Sequence, residues 1–140
     1  MTYPDYTRAE RIADGIIHVV GITASVVAVI AVLIAAIPTL DVFSTTALAI
    51  YGVTVVMLFS ISAAYHMVSQ ADVKAILRKC DQAAIFFKIA GTYTPLVILI
   101  GSAFSYGVLA FVWAAAIFGA IVVSVVGWLL ALLMRDPVDR

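Results

Sequence analysis

Four long apolar runs, separated by short polar segments, make up most of this chain. The first extends from about Gly15 to Ile37 and stops at Pro38; the second runs from about Thr46 to Val68, the third from about Gln82 to Ile100 and the fourth from about Tyr106 to Met134. A helix that crosses a bilayer needs about 20 predominantly apolar residues, and each run approaches or exceeds that length. The fourth is long enough to tilt or to project beyond the hydrocarbon. Turn chemistry fills the gaps: Pro38 and Thr39 with Asp41, a polar stretch from Ser69 to Asp81, and Gly101 and Ser102 with Ser105. The pattern predicts an all-α, polytopic membrane helix bundle with four transmembrane helices in a single domain over residues 1–140.

Composition makes lipid the solvent. Hydrophobic residues are 65% of the chain and charged residues 11%, against about 45–50% and about 25% in soluble domains. So few charges cannot cover a water-facing surface. The formal net charge of zero gives no long-range attraction for nucleic acid. The lone cysteine, Cys80, excludes an intramolecular disulfide and reads as an ordinary small residue near a membrane surface. The first apolar run is too long for the core of a cleaved signal, and no small-residue cleavage site closes it.

Basic residues set an orientation. Arg8 and Arg11 precede the first run, Lys74, Arg78 and Lys79 lie between the second and third, and Arg135 and Arg140 follow the fourth; the other two connections have none. Both termini are therefore expected in the cytoplasm, in a multi-pass protein of the cell inner membrane. The eighth basic residue, Lys88, is positioned to snorkel back to the same side. Small residues at Ala28, Ala31 and Ala35, and at Gly119, Val123 and Gly127, offer places for close helix contact.

Ionisable groups are costly in membrane helices and point to function. Those near the spans are Glu10, Asp14, His18, His66, Asp81 and Lys88. The alternating topology brings all six to one membrane face. Ser62 and His66 share a helix face, as do Asp14 and His18, and Glu10 and Asp14. Histidine beside aspartate and serine suits metal ligation or a proton relay. The plainer alternatives are an interfacial role for His66 and helix N-caps at Asp81 and Asp14. In the third run, Gly91-Thr92-Tyr93-Thr94-Pro95 predicts a proline kink, with Thr92 and Thr94 serving the freed carbonyls and Gly91 admitting a neighbouring helix. The kink either shapes a cavity or serves packing alone.

Three blocks carry a family resemblance: Glu10 to Gly21, Ser62 to His66 as S-x-x-x-H, and Asp81 to Ile85 running into Ala90-Gly91-Thr92-Tyr93-Thr94-Pro95. In these the chain resembles the haemolysin III family, which groups with adiponectin-receptor-like proteins and, more distantly, alkaline ceramidases. The resemblance covers roughly residues 8 to 125. It implies a seven-helix fold of which these four helices are the N-terminal part, with zinc near the cytoplasmic face. It further implies His66 as a direct zinc ligand, Asp81 holding the zinc-bound water and Ser62 supporting them, so that Asp81 and Ser62 would be the catalytic pair. Glu10, Asp14 and His18 fall in the first block as a further candidate site. The family's other ligands, an H-x-x-x-H on the seventh helix, have no counterpart among the two histidines here. The chain is a fragment, a truncated relative or a divergent short form. Asparagine is common in the family where Asp14 stands, and histidine where Gln82 stands.

Three functions are expected to compete. The first is a haemolysin III-type protein with a zinc-dependent lipid amide hydrolase-like site, left incomplete in this chain. The second is a non-enzymatic membrane sensor or regulator that binds lipid or partner helices. The third is a proton-linked transporter using His18, His66, Asp81 and Lys88. Expected partners are membrane lipids, with a second copy of the chain or C-terminal helices completing the bundle, and no nucleic acid.

Overall fold

A computed structural model describes residues 7–134, which places the expectations for Arg135 and Arg140 outside the described residues. The architecture is four helices in chain order: α1 (Arg8–Ala36), α2 (Val42–Met67), α3 (Ala71–Ile100) and α4 (Ala103–Leu133). They contain 29, 26, 30 and 31 residues, or roughly 39 to 47 Å at 1.5 Å per residue. Each exceeds the about 30 Å of bilayer hydrocarbon, and all four are long and apolar enough to cross a membrane.

The helix ends follow from local chemistry. Thr7 and Glu10 form a capping box at α1. Asp41 caps α2 through bonds from the Phe43 and Ser44 amides, and Ser102 with Ser105 forms a second capping box at α4. Gly101 ends α3 at φ +65°, the left-handed conformation that glycine adopts without a Cβ clash, and its N–H donates to Val97 O at 2.9 Å.

Two boundaries differ from the apolar pattern. The segment from Ala71 to Asp81, expected as a connection, is helical and opens α3. Its alanine, lysine, leucine and arginine are good helix formers, and hydropathy marks where lipid begins rather than where a helix does. At the other side, α1 starts at Arg8, not Gly15. Asp81 and Asp14 are therefore helix-interior residues, and neither caps a helix; those positions belong to Gln70 and Thr7.

Each helix packs against its neighbours in sequence, α1 on α2, α2 on α3 and α3 on α4, and among the described residues no other pair is in comparable contact. The buried positions are mostly small: Ala36, Ala47, Ala63, Ala84, Ala90, Ala116 and Ala120, with Gly52, Gly91, Ser25, Thr54, Thr94 and Ser105, and Val97 as the larger exception. Large apolar side chains point outward, Leu99 and Phe104 being 84% and 83% exposed. This distribution inverts that of a soluble domain and suits lipid, where helices associate through close backbone approach rather than hydrophobic burial. Glycines set the approach: a Cβ on Gly52 would come within 2.6 Å of Val29, and one on Gly119 within 2.7 Å of Phe86. Ala28, Ala31 and Ala35, expected to mediate such contact on α1, are exposed. Ser25, Gly21 and Val29 lie on the packed side instead, Gly21 against Phe59.

The Pro95 region differs in one detail. Thr92 and Thr94 donate to the carbonyls of Lys88 and Ala90, at 2.8 and 3.0 Å. The carbonyl that loses its partner to Pro95 belongs to Gly91, four residues back. A helical threonine reaches its own i−4 carbonyl, so the two hydroxyls do not serve the freed group. Thr94 has another use: it accepts from the indole N–H of Trp113 on α4 at 3.1 Å.

Candidate functional site

The start of α1 meets the end of α2 because the two helices run antiparallel, and three ionisable side chains converge there. Asp14 and His18 are one turn apart on α1. His18 Nδ1 lies 2.7 Å from the backbone carbonyl of Asp14 and 3.3 Å from its Oδ1. From α2, His66 Nδ1 approaches Asp14 Oδ2 at 3.6 Å. The two imidazole centroids are 5.0 Å apart, with planes inclined at 36°. The His18 side chain is 12% exposed, while those of His66 and Asp14 are 40% and 42% exposed, so the cluster opens outward on the His66 side.

These contacts fix the chemistry available. A carbonyl only accepts, so the 2.7 Å contact makes His18 Nδ1 the donor, and in the neutral ring the lone pair is then on Nε2. At 3.6 Å the His66–Asp14 contact is too long for a hydrogen bond; it is an electrostatic contact that strengthens when His66 is protonated. Two imidazoles and one carboxylate thus meet where one can ligate a metal or pass a proton.

The other expected residues are distributed differently. Ser62 is half-buried on α2, one turn before His66. Glu10 is committed to the α1 cap, its carboxylate accepting from the Thr7 N–H at 2.7 Å and the Thr7 hydroxyl at 2.8 Å. Asp81 and Lys88 are half-buried on α3, a helix that packs on α2 and not on α1. Among the described residues no hydrogen bond or ion pair joins Asp81 to His66; the acid beside His66 is Asp14. Gly91 is buried against Thr54 of α2, and Thr92 and Pro95 border an apolar cleft of about 410 Å³ between α2 and α3, with Ser44 and Tyr51 opposite.

Tyr65 is a neighbour that sequence spacing missed. Its ring meets His66 edge-on at 5.0 Å, and Lys74 Nζ stands 5.4 Å from its centroid. The signal was adjacency to His66, combined with the short turn that returns the chain as α3.

Zinc expected from the resemblance can be tested against this geometry. Among the described residues no group of three or more His, Cys, Asp or Glu side chains is arranged to hold a metal ion. A zinc site needs at least three protein donors converging at about 2.0–2.2 Å, so the residues described do not form one by themselves.

The fold and this cluster define a multi-pass α-helical membrane protein with a histidine–aspartate group at one end of its first helix pair. The chain belongs to the haemolysin III family: the family model described as "Haemolysin-III related" matches residues 6–132. It is 34% identical to Hemolysin-3 of Bacillus cereus over 113 residues, which are 80% of this chain and 52% of that protein. It is 30% identical to the Hemolysin-3 homolog of Bacillus subtilis (strain 168) over 117 residues, 83% of this chain and 55% of the relative. The chain thus spans about half the length of these curated relatives. No solved structure matches it.

Proposed function

We propose that this chain supplies part of a metal centre in a haemolysin III-type protein of the cell inner membrane, with its termini in the cytoplasm. His66 is the principal donor, and Asp14 and His18 support it. The remaining donors lie outside the described residues, on further helices or on a second copy. The observation that carries this reading is the 5.0 Å approach of the two imidazoles around the Asp14 carboxylate. Zinc, when bound in a closed centre, polarises a carbonyl and acidifies water. Hydrolysis of a lipid-like amide would belong to such a closed centre, and no step of it is assigned to the residues described.

Calorimetric titration with zinc of the assembled protein, in which the further helices or the second copy are present, tests the reading. Saturable binding that disappears in His66→Ala and weakens in Asp14→Asn supports it. A folded protein that takes up no zinc, or that binds it equally well in His66→Ala, contradicts it.

A second reading, a non-enzymatic membrane sensor or regulator, draws support from the apolar cleft between α2 and α3. Its walls are Leu40, Leu48, Leu96 and Leu99, with hydroxyls from Ser44, Tyr51 and Thr92. A lipid tail suits those walls, and lipid-dependent change in the folded protein without zinc uptake would favour this reading.

A further inference from the structure

Lys88 is the only charged residue in the apolar stretch of α3 from Gln82 to Ile100. It stands six residues beyond Gln82, about 9 Å along the helix, and is half-buried. A charge at that depth is costly unless something pairs with it, and the described helices supply no acid to do so. The helices packed on α3 are α2 and α4, and neither carries an Asp or Glu anywhere along its length. On α3 itself the nearer acid is Asp81, two turns away. The acids of α1 are engaged elsewhere, Glu10 at the Thr7 cap and Asp14 at the histidines. Among the described residues no hydrogen bond or ion pair engages the Lys88 ammonium.

The helix face that carries Lys88 continues into the apolar cleft between α2 and α3. Thr92, Pro95 and Leu99 line that cleft and follow Lys88 at i+4, i+7 and i+11, the spacing of one helix face. The cleft volume of about 410 Å³ falls within the about 300–1,000 Å³ of small-molecule sites. No charged residue lines it. Two of its hydroxyls already donate, Thr92 to the Lys88 carbonyl and Ser44 to the Asp41 carboxylate. The cleft is therefore suited to a hydrocarbon chain, and the unmatched positive charge one turn before it to an anionic head. From Lys88 to Leu99 the face runs about 16 Å along the helix axis, so a long chain is needed to fill it.

Resting on the cleft's role as a lipid-tail site, we propose that it binds a long-chain carboxylate, with the head at Lys88 and the chain along Thr92, Pro95 and Leu99. One ammonium matches one negative charge. A carboxylate joined directly to its chain follows that chain below the headgroup boundary, whereas the larger hydrated head of a phospholipid stays at the surface.

Native mass spectrometry of the full chain in a non-ionic detergent tests this, with palmitic acid and hexadecanol titrated separately. The two share a chain and differ in the charge of the head. The acid is expected to bind about tenfold tighter, the increment of one charge-assisted hydrogen bond. Lys88→Met should reduce the acid to the affinity of the alcohol and leave the alcohol unchanged; because it removes a charge from an apolar span, it is expected to fold. Lys88→Arg should keep the preference, as should Arg11→Gln, which removes a positive charge elsewhere. Leu96→Trp, at a cleft position, should weaken both ligands. If neither ligand binds, the cleft is not a tail site and the proposal falls with that reading. If both bind equally, the tail site stands and the carboxylate proposal is overturned. A preference that survives Lys88→Met, or one lost in Arg11→Gln, also overturns it, as does acid binding that Leu96→Trp leaves undiminished.

Discussion

Gly91 of α3 lies so close to Thr54 of α2 that a methyl group at position 91 would come within 2.8 Å of the threonine Cγ2 and closer still to its hydroxyl. The Thr54 hydroxyl is itself fixed, donating to Tyr51 O at 2.8 Å, so it has little room to yield. Gly91→Ala should destabilise the α2–α3 pair by about 1–3 kcal/mol, the usual range for overpacking. Thr54→Ala in the same chain should recover part of that loss. Unfolding in mixed detergent micelles, run as a double-mutant cycle, measures the coupling; strictly additive effects would refute the contact.

Asp41 gives the turn between α1 and α2 a pH dependence. Its carboxylate accepts from the Ser44 hydroxyl at 2.6 Å and from the Phe43 and Ser44 amides at 2.8 and 3.0 Å. The Ser44 side chain first, and then the backbone bonds, hold its pKa below the ordinary aspartate value. A group whose pKa is lowered by folding stabilises fully above its unfolded pKa and loses that contribution as pH falls through the folded one. Amide protection at Phe43 and Ser44 should therefore be steady at neutral pH and decline below about pH 4. In Asp41→Ala it should be low throughout, with no acid transition. Hydrogen exchange by NMR reads this directly, and flat protection through the acid range in the unmodified chain would contradict it.

The bond from Trp113 to Thr94 ties α4 to α3 beside the Pro95 site. Thr94→Val keeps the shape and removes the acceptor, leaving a half-buried indole N–H without it. Side-chain hydrogen bonds between membrane helices contribute about 0.6 kcal/mol on average and up to about 1.7 kcal/mol, so a loss in that range is expected. Thr94→Ser should retain the bond. Unfolding curves in a Trp128→Phe background, which leaves Trp113 as the sole tryptophan, supply the measurement by selective tryptophan excitation. Identical stability of the valine and serine variants would show that the bond contributes nothing.

Much of the fold was legible because hydropathy reports lipid contact. Pro38 with Asp41, and Gly101 with Ser102, marked connections that the structure retains. The start of α3 was not legible, since Asp72, Lys74, Arg78 and Lys79 break an apolar run without breaking a helix. The site was legible in part. Alternating topology was enough to bring His18 and His66 to the same end. Which acid would join them was not readable, because it depends on rotation about each helix axis. Helices apolar on most sides carry little periodic signal to fix that rotation. Among the described residues no hydrogen bond or ion pair joins Asp81, on the helix beyond α2, to His66, whereas Asp14, one turn from His18, approaches both histidines.

The convergence of α1 and α2 on that cluster is open to direct test, because the chain has only two histidines. Solid-state NMR of protein labelled with ¹³C,¹⁵N-histidine in lipid bilayers would report whether the rings are neighbours. Rings with centroids 5.0 Å apart should give an inter-residue imidazole cross-peak, and His66→Ala should abolish it. A well-folded sample in which both rings are visible but no such correlation builds up would separate the two histidines and contradict the site.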